Sequence, residues 1–163
     1  MTALPPSDVY HLRAAEGWLD LGNHLEANEE LERISPELRA HPDVLILRWQ
    51  IYGRAEKWEP CLIVARALTE QSPNDLRGWI ALAASFRAMK RTEQAYEILH
   101  AKSDQIPTSW QLAYDTARYA SMLGRRADAE RYLARAIDAG DPNGIKLRAL
   151  DDPDLKNLWK AEN

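Results

Sequence analysis

The chain has 163 residues, a 45% hydrophobic share and a net charge of −4, which suits one globular domain and excludes a disordered chain or a general nucleic-acid binder, polar or basic by rule. A single cysteine, Cys61, excludes an internal disulfide framework, and no apolar run approaches the ~18 residues needed to span a bilayer. The N-terminal Met-Thr-Ala-Leu-Pro-Pro-Ser-Asp lacks a basic stretch followed by an apolar core, so no signal peptide is expected and a soluble cytoplasmic protein is.

In chain order, residues 1–6 read as a short disordered lead ended by Pro5-Pro6. Ser7 is the expected N-cap of a first helix running to about Leu21, with Val9, Leu12, Ala15 and Trp18-Leu19 at helical spacing. Gly22-Asn23 stops it, because both residues tolerate a left-handed turn. A second helix runs from about His24 to Ile34, and Glu26, Glu29, Glu30 and Glu32 are read as its solvated outer face. Ser35-Pro36 begins an extra short helical turn before Pro42, with Ser35 as cap, Pro36 at the first helical position and Leu38 packing there. Helices are then expected near 43–55, 58–71, 75–89, 92–104, 109–123 and 126–139. Ser72-Pro73-Asn74-Asp75, Ile106-Pro107-Thr108-Ser109 and Gly140-Asp141-Pro142 separate them. In the tail, Leu147 and Leu150 are assigned to core columns. Asp152-Pro153 reads as N-cap and first helical residue, and Leu155, Leu158 and Trp159 form one apolar face. Residues 143–161 are read as a C-terminal cap whose deletion lowers stability and solubility.

A 34-residue period runs through these helices. Stepping by 34 aligns Trp18, Tyr52, Phe86 and Ala120 in one column and Ala27, Cys61, Ala95 and Ala129 in another. It also aligns Leu31, Ala65, Leu99 and Leu133; Ala15, Trp49, Ala83 and Ala117; and, in the inter-helix turn, Gly22, Glu56, Lys90 and Gly124. No insertion is needed. The small columns suit close helix crossings. Arg48 and Trp49 depart from the pattern, leaving two readings: a splayed helix pair, or an arginine stem laid along the surface with its head in water.

The segment Trp79, Leu82, Ala83, Phe86, Ala95, Leu99 and Pro107 carries the signature of the tetratricopeptide (TPR) unit, so the chain resembles the TPR family over about residues 8–142. The resemblance implies an all-α, TPR-type α-solenoid of antiparallel helix pairs stacked into a right-handed superhelix. One repeat domain, 1–163, would comprise units at about 8–41, 42–75, 76–109 and 110–142 plus capping helices at 143–161. The arrangement looks like a bacterial TPR protein.

Catalytic chemistry finds little support. Cys61 sits in a small packing column and reads as an inert buried thiol. His11, His24, His41 and His100 lack the spacing of a helical metal pair, so no metal or other cofactor is expected. Asp151, Asp152 and Asp154 are read as a cap and first turn. The 7 glycines are not clustered into a phosphate loop. The chain is therefore expected not to be an enzyme.

The family's groove positions, carried over residue by residue, are Gln50, Arg54, Arg77, Ile80, Ala84, Arg87, Gln111, Tyr114 and Arg118. Arginine forks suit carboxylates or phosphates, so the resemblance implies a non-catalytic module that takes a peptide or protein segment, extended or helical and acidic, in a concave groove. The Lys, Asn, Asn, Lys, Arg set that holds chaperone tails is not matched. No nucleic acid or membrane partner is expected, and the protein should be a monomer or weak homo-oligomer. The alternatives are a structural, self-assembling subunit using its convex face or an end, and more remotely a small enzyme or ligand carrier.

Overall fold

The computed structural model describes residues 3–159, and among them there is helix and no strand. Two compact units divide the chain between Ser85 and Phe86. The first contains α1 (Pro6–Asp20), α2 (His24–Glu32), a 3₁₀ turn (Pro36–Leu38), α3 (Pro42–Arg54), α4 (Trp58–Gln71) and most of α5 (Leu76–Ala88). The second contains the end of α5, α6 (Thr92–Gln105), α7 (Trp110–Met122), α8 (Arg126–Ala139), α9 (Pro142–Asp151) and a 3₁₀ segment (Pro153–Leu158).

The period is visible as backbone geometry. Gly22, Glu56, Lys90 and Gly124 all have positive φ, at 81°, 54°, 61° and 72°. The next residue's N–H returns to the carbonyl five residues back each time, Asn23 to Trp18, Lys57 to Tyr52, Arg91 to Phe86 and Arg125 to Ala120, all at 2.9 Å. The positive-φ residue bonds three back: Gly22 to Leu19, Glu56 to Gly53, Lys90 to Arg87 and Gly124 to Ser121, at 2.9–3.1 Å. This is the Schellman ending, which satisfies the last carbonyls of a helix. The column of Trp18, Tyr52 and Phe86 thus supplies the accepting carbonyls, and Arg91 covers the Phe86 ring at 4.7 Å.

The small columns are the contact lines of the helix pairs. Ala15, Ala27, Cys61, Ala83, Ala95, Ala117 and Ala129 are fully buried, which lets the backbones approach. Leu31, Leu68, Leu99 and Leu112 are fully buried beside them, each worth about 1.5–3 kcal/mol on removal from water. Gly78 brings α5 against α4; a Cβ there would lie 3.1 Å from Leu68 Cγ.

Several expectations need correction. Helix α1 starts one residue before Ser7, which is exposed and makes no cap; Pro5 is the N-cap and Pro6 opens the helix with φ already set. The proposed lead is partly structural, since Leu4 packs on the first unit's core; residues 1 and 2 lie outside the described residues. Glu30 is not on a solvated face: it is 9% exposed, accepts from Arg33 at 2.7 Å and meets His11 Nδ1 at 2.8 Å. Trp18, at the head of the column with Tyr52 and Phe86, is exposed.

The short turn before Pro42 is present, and Leu38 packs on the core. Ser35 does not cap it with its side chain; its N–H and hydroxyl donate to buried Asp8 at 3.1 and 3.3 Å. Arg48 resolves differently from either reading: its half-buried guanidinium holds Glu32 at 2.6 Å. That hydrogen bond, with the neighbouring positive charges, keeps the Glu32 carboxyl below its ordinary value against the opposing cost of burial. Trp49 sits half-buried and donates to Ser85 Oγ at 2.9 Å.

In the tail, Leu147 and Leu150 are 65% and 58% exposed, and Ile145 and Ala149 are buried instead. Asp141 caps α9 by accepting from the N–H groups of Asn143 and Gly144. α9 starts at Pro142, ahead of the strict 34-residue step from Trp110, and turns a different face to the core. The 3₁₀ segment buries Leu155 and Leu158 and leaves Trp159 48% exposed. The end of the expected cap, residues 160 and 161, lies outside the described residues.

Candidate functional site

In the first unit, Gln50 and Arg54 are exposed on α3, and Ile80 and Ala84 are half-buried on α5. Arg77 lies at the start of α5, where its Nη2 donates to Asp75 Oδ2 at 2.7 Å and its Nη1 to Asp43 Oδ1 at 2.8 Å. Its backbone N–H also donates to Asp75 Oδ1 at 3.0 Å. The Arg77 hydrogen bond holds the Asp75 carboxyl below its ordinary range. Gln50, Arg54, Ile80 and Ala84 take no part in that cluster.

In the second unit the arrangement is denser. Arg87 Nη2 reaches both oxygens of Asp154, at 3.1 and 2.9 Å. Arg118 Nη2 donates to the same Asp154 Oδ2 at 2.7 Å, and its Nη1 to Asp115 Oδ1 at 3.1 Å. Arg118 Nε lies 3.0 Å from Asp152 Oδ2. The buried Tyr114 donates its hydroxyl to Asp152 Oδ2 at 3.0 Å, while Arg148 covers its ring at 5.2 Å. Burial, then the bond to Asp152, pushes the Tyr114 phenol up to about 12. Burial also raises the Asp115 carboxyl, against the pull of Arg118. Gln111 is exposed and outside this cluster.

Asp152 and Asp154 complete this cluster, a role that the sequence reading of them as a cap did not include. They do cap: Asp152 accepts from Asp154 N–H at 2.9 Å. Their second role depends on the fold, which brings the 3₁₀ segment onto α7. One signal was available, because Arg118 and Asp152 stand one 34-residue step apart, as do Asp43 and Arg77. Arg126 was missed as well; it donates to the carbonyls of Asn157 and Leu158 at 3.5 and 3.2 Å.

Elsewhere, Cys61 donates its thiol to the Trp49 carbonyl at 3.4 Å, and burial pushes it up to about 11. It is protonated at neutral pH and poorly suited to nucleophilic attack. His41 accepts from Asp43 N–H at 3.3 Å, and His100 bonds the Tyr132 hydroxyl. Among the described residues, no group of three or more His, Cys, Asp or Glu is placed to hold a metal ion. No helix among them is long and apolar enough to cross a membrane.

No protein-family model and no curated protein matches the chain. Solved structures do. A thermophilic TPR protein of Thermus thermophilus is 21% identical with a TM-score of 0.73, over 93% of this chain and 81% of that one. A MamA RS-1 double mutant is 15% identical with a TM-score of 0.69, over 96% and 91%. MamA AMB-1 is 14% identical with a TM-score of 0.61, over 97% and 100%. These likenesses show the fold: the chain has the all-α architecture of TPR proteins.

Proposed function

We propose that the chain is a non-catalytic protein-interaction module that binds an acidic peptide or protein segment on the arginine-bearing faces of α5 and α7. One observation carries this reading. Arg87 and Arg118 converge on a single carboxylate, Asp154, beside a buried tyrosine hydroxyl. Charge-assisted bonds of this kind are strong and directional, and a guanidinium fork matches a carboxylate. The second unit therefore already holds a short acidic segment. Arg54 and Arg77 give the first unit a smaller set of the same chemistry. The fold supports the class, since TPR helices present extended binding surfaces. We take the units to be those of the 34-residue period, with α9 and the 3₁₀ segment as cap, in a cytoplasmic protein acting as a monomer or weak homo-oligomer.

The test is co-purification from a lysate of the source organism, with wild type and an Arg54→Glu/Arg77→Glu variant as baits and a covalent crosslinker present. A partner held by wild type and reduced by the variant supports charge-dependent segment binding. Equal retention by both baits removes the first unit's arginines from the reading. A second reading, self-assembly, is favoured by the exposed Tyr10, at 69%, which lines a cleft with Leu4, Pro6, Val9 and Ala14. Light scattering separates the two: a monomer at working concentration rejects self-assembly.

A further inference from the structure

The 3₁₀ segment is held like a ligand. Its side-chain carboxylates enter the guanidiniums of Arg87 and Arg118, Tyr114 bonds Asp152, and Leu155 and Leu158 enter the apolar surface below. Arg126 grips the carbonyls of Asn157 and Leu158, and the Trp159 indole donates to Ala149 O at 3.3 Å. With the segment lifted away, Arg87 and Arg118 would lose Asp152 and Asp154 while Arg118 keeps Asp115, leaving a surface rich in guanidinium beside a tyrosine hydroxyl and an apolar floor. The chemistry that complements it is two carboxylates two residues apart followed by leucine.

The fit of the chain's own segment is incomplete. Arg87 Nε and Arg118 Nε are buried without an acceptor in hydrogen-bond geometry; Arg118 Nε is close to Asp152 Oδ2 but out of line with it. Ser121 Oγ is likewise buried without a partner, in a cleft of about 240 Å³ beside Leu158. Buried donors without acceptors are costly, so a segment carrying a further acceptor would satisfy this face better.

We propose that the face of Arg87, Tyr114 and Arg118 is a recognition site for an acidic, leucine-bearing segment of another protein, and that Asp152–Leu158 is its internal stand-in. The proposal rests on the acidic-segment reading above and names the site and the competitor. The tethered segment acts at an effective concentration of ~mM, so an external segment must displace it. Apparent affinity then falls by the fraction of molecules whose segment is open.

The experiment uses the full chain and a fluorescein-labelled peptide of residues 151–159, Asp-Asp-Pro-Asp-Leu-Lys-Asn-Leu-Trp, read by anisotropy. The receptor variant is Asp152→Asn/Asp154→Asn, because asparagine retains the cap and the leucines stay. We expect this variant to bind the peptide at least about tenfold more tightly than wild type, with Arg118→Glu added to it abolishing binding. The same peptide with asparagine at both acidic positions should not bind. Hydrogen exchange on wild type needs no variant: the amides of 155–158 should exchange through a local opening, faster than those of α7.

Exchange of 155–158 only with global unfolding makes the segment a fixed cap and overturns the stand-in, leaving the acidic-segment reading in place. Opening without peptide binding, or equal binding of the asparagine peptide, overturns recognition at this face. A concentration-dependent dimer formed by exchange of the tail assigns the face to a second copy and overturns the proposal.

Discussion

Arg77 in the first unit and Arg118 in the second meet carboxylates of the same kind over similar distances, yet they do different work. Arg77 is 49% exposed, and its principal partner, Asp75, lies two residues away in the same turn. Arg118 is 25% exposed, and its partners Asp152 and Asp154 belong to a segment that the rest of the unit has to hold in place. Distance alone therefore does not rank ion pairs. An exposed pair is screened and worth about 0–1 kcal/mol, whereas a half-buried pair between separate elements also secures the burial of whatever those elements carry.

The contrast is sharpest in what lies under the second cluster. Leu155 is fully buried, and Leu155→Ala should cost about 2–5 kcal/mol by loss of transfer energy and cavity formation. A urea midpoint unchanged by that substitution would mean the 3₁₀ segment contributes nothing to the unit. Asp154→Asn removes the carboxylate shared by Arg87 and Arg118 and should cost about 1–2 kcal/mol, discounted for the partial exposure of both arginines.

Tyr114→Phe should cost about 1 kcal/mol by leaving Asp152 without that donor. Burial, and after it the bond to Asp152, give this tyrosine a pH signature. The phenol is raised in the fold from 10.0 to about 12, so the stability it lends is fully present below pH 10 and lost as the pH rises through 12. The urea-midpoint gap between wild type and Tyr114→Phe should therefore close over that range; a gap constant to pH 12 would break the assignment. Arg77→Ala stands last, within about 0.5 kcal/mol. A loss as large as that of Asp154→Asn would erase the distinction between the clusters.

Much of the helical framework was legible because the period constrains it. The column of Ala27, Cys61, Ala95 and Ala129 could be aligned without structure, and all four are fully buried. The site was less legible. Arg87, Tyr114 and Arg118 could be chosen by analogy, but Asp152 and Asp154 already had a sufficient local explanation as a helix cap. Their second set of partners depends on tertiary placement, which local propensity does not encode. Leu147 and Leu150 follow the period, yet α9 buries Ile145 and Ala149, because the face a terminal helix turns inward is set by tertiary packing that a repeat count does not encode. Glu30 failed because a row of acidic residues says nothing of a histidine and an arginine arriving from either side.

The four Schellman turns differ in one respect. Gly22 and Gly124 occupy the left-handed region without penalty, while Glu56 and Lys90 hold the same conformation with side chains attached, at about 1–2 kcal/mol each. The bend is thus enforced by the packed helices on either side, at positions without the residue best suited to it. Those two joints are a reserve of unused stability. Glu56→Gly and Lys90→Gly should each recover up to about 1 kcal/mol once the greater freedom of unfolded glycine is subtracted, giving the chain margin to tolerate change elsewhere.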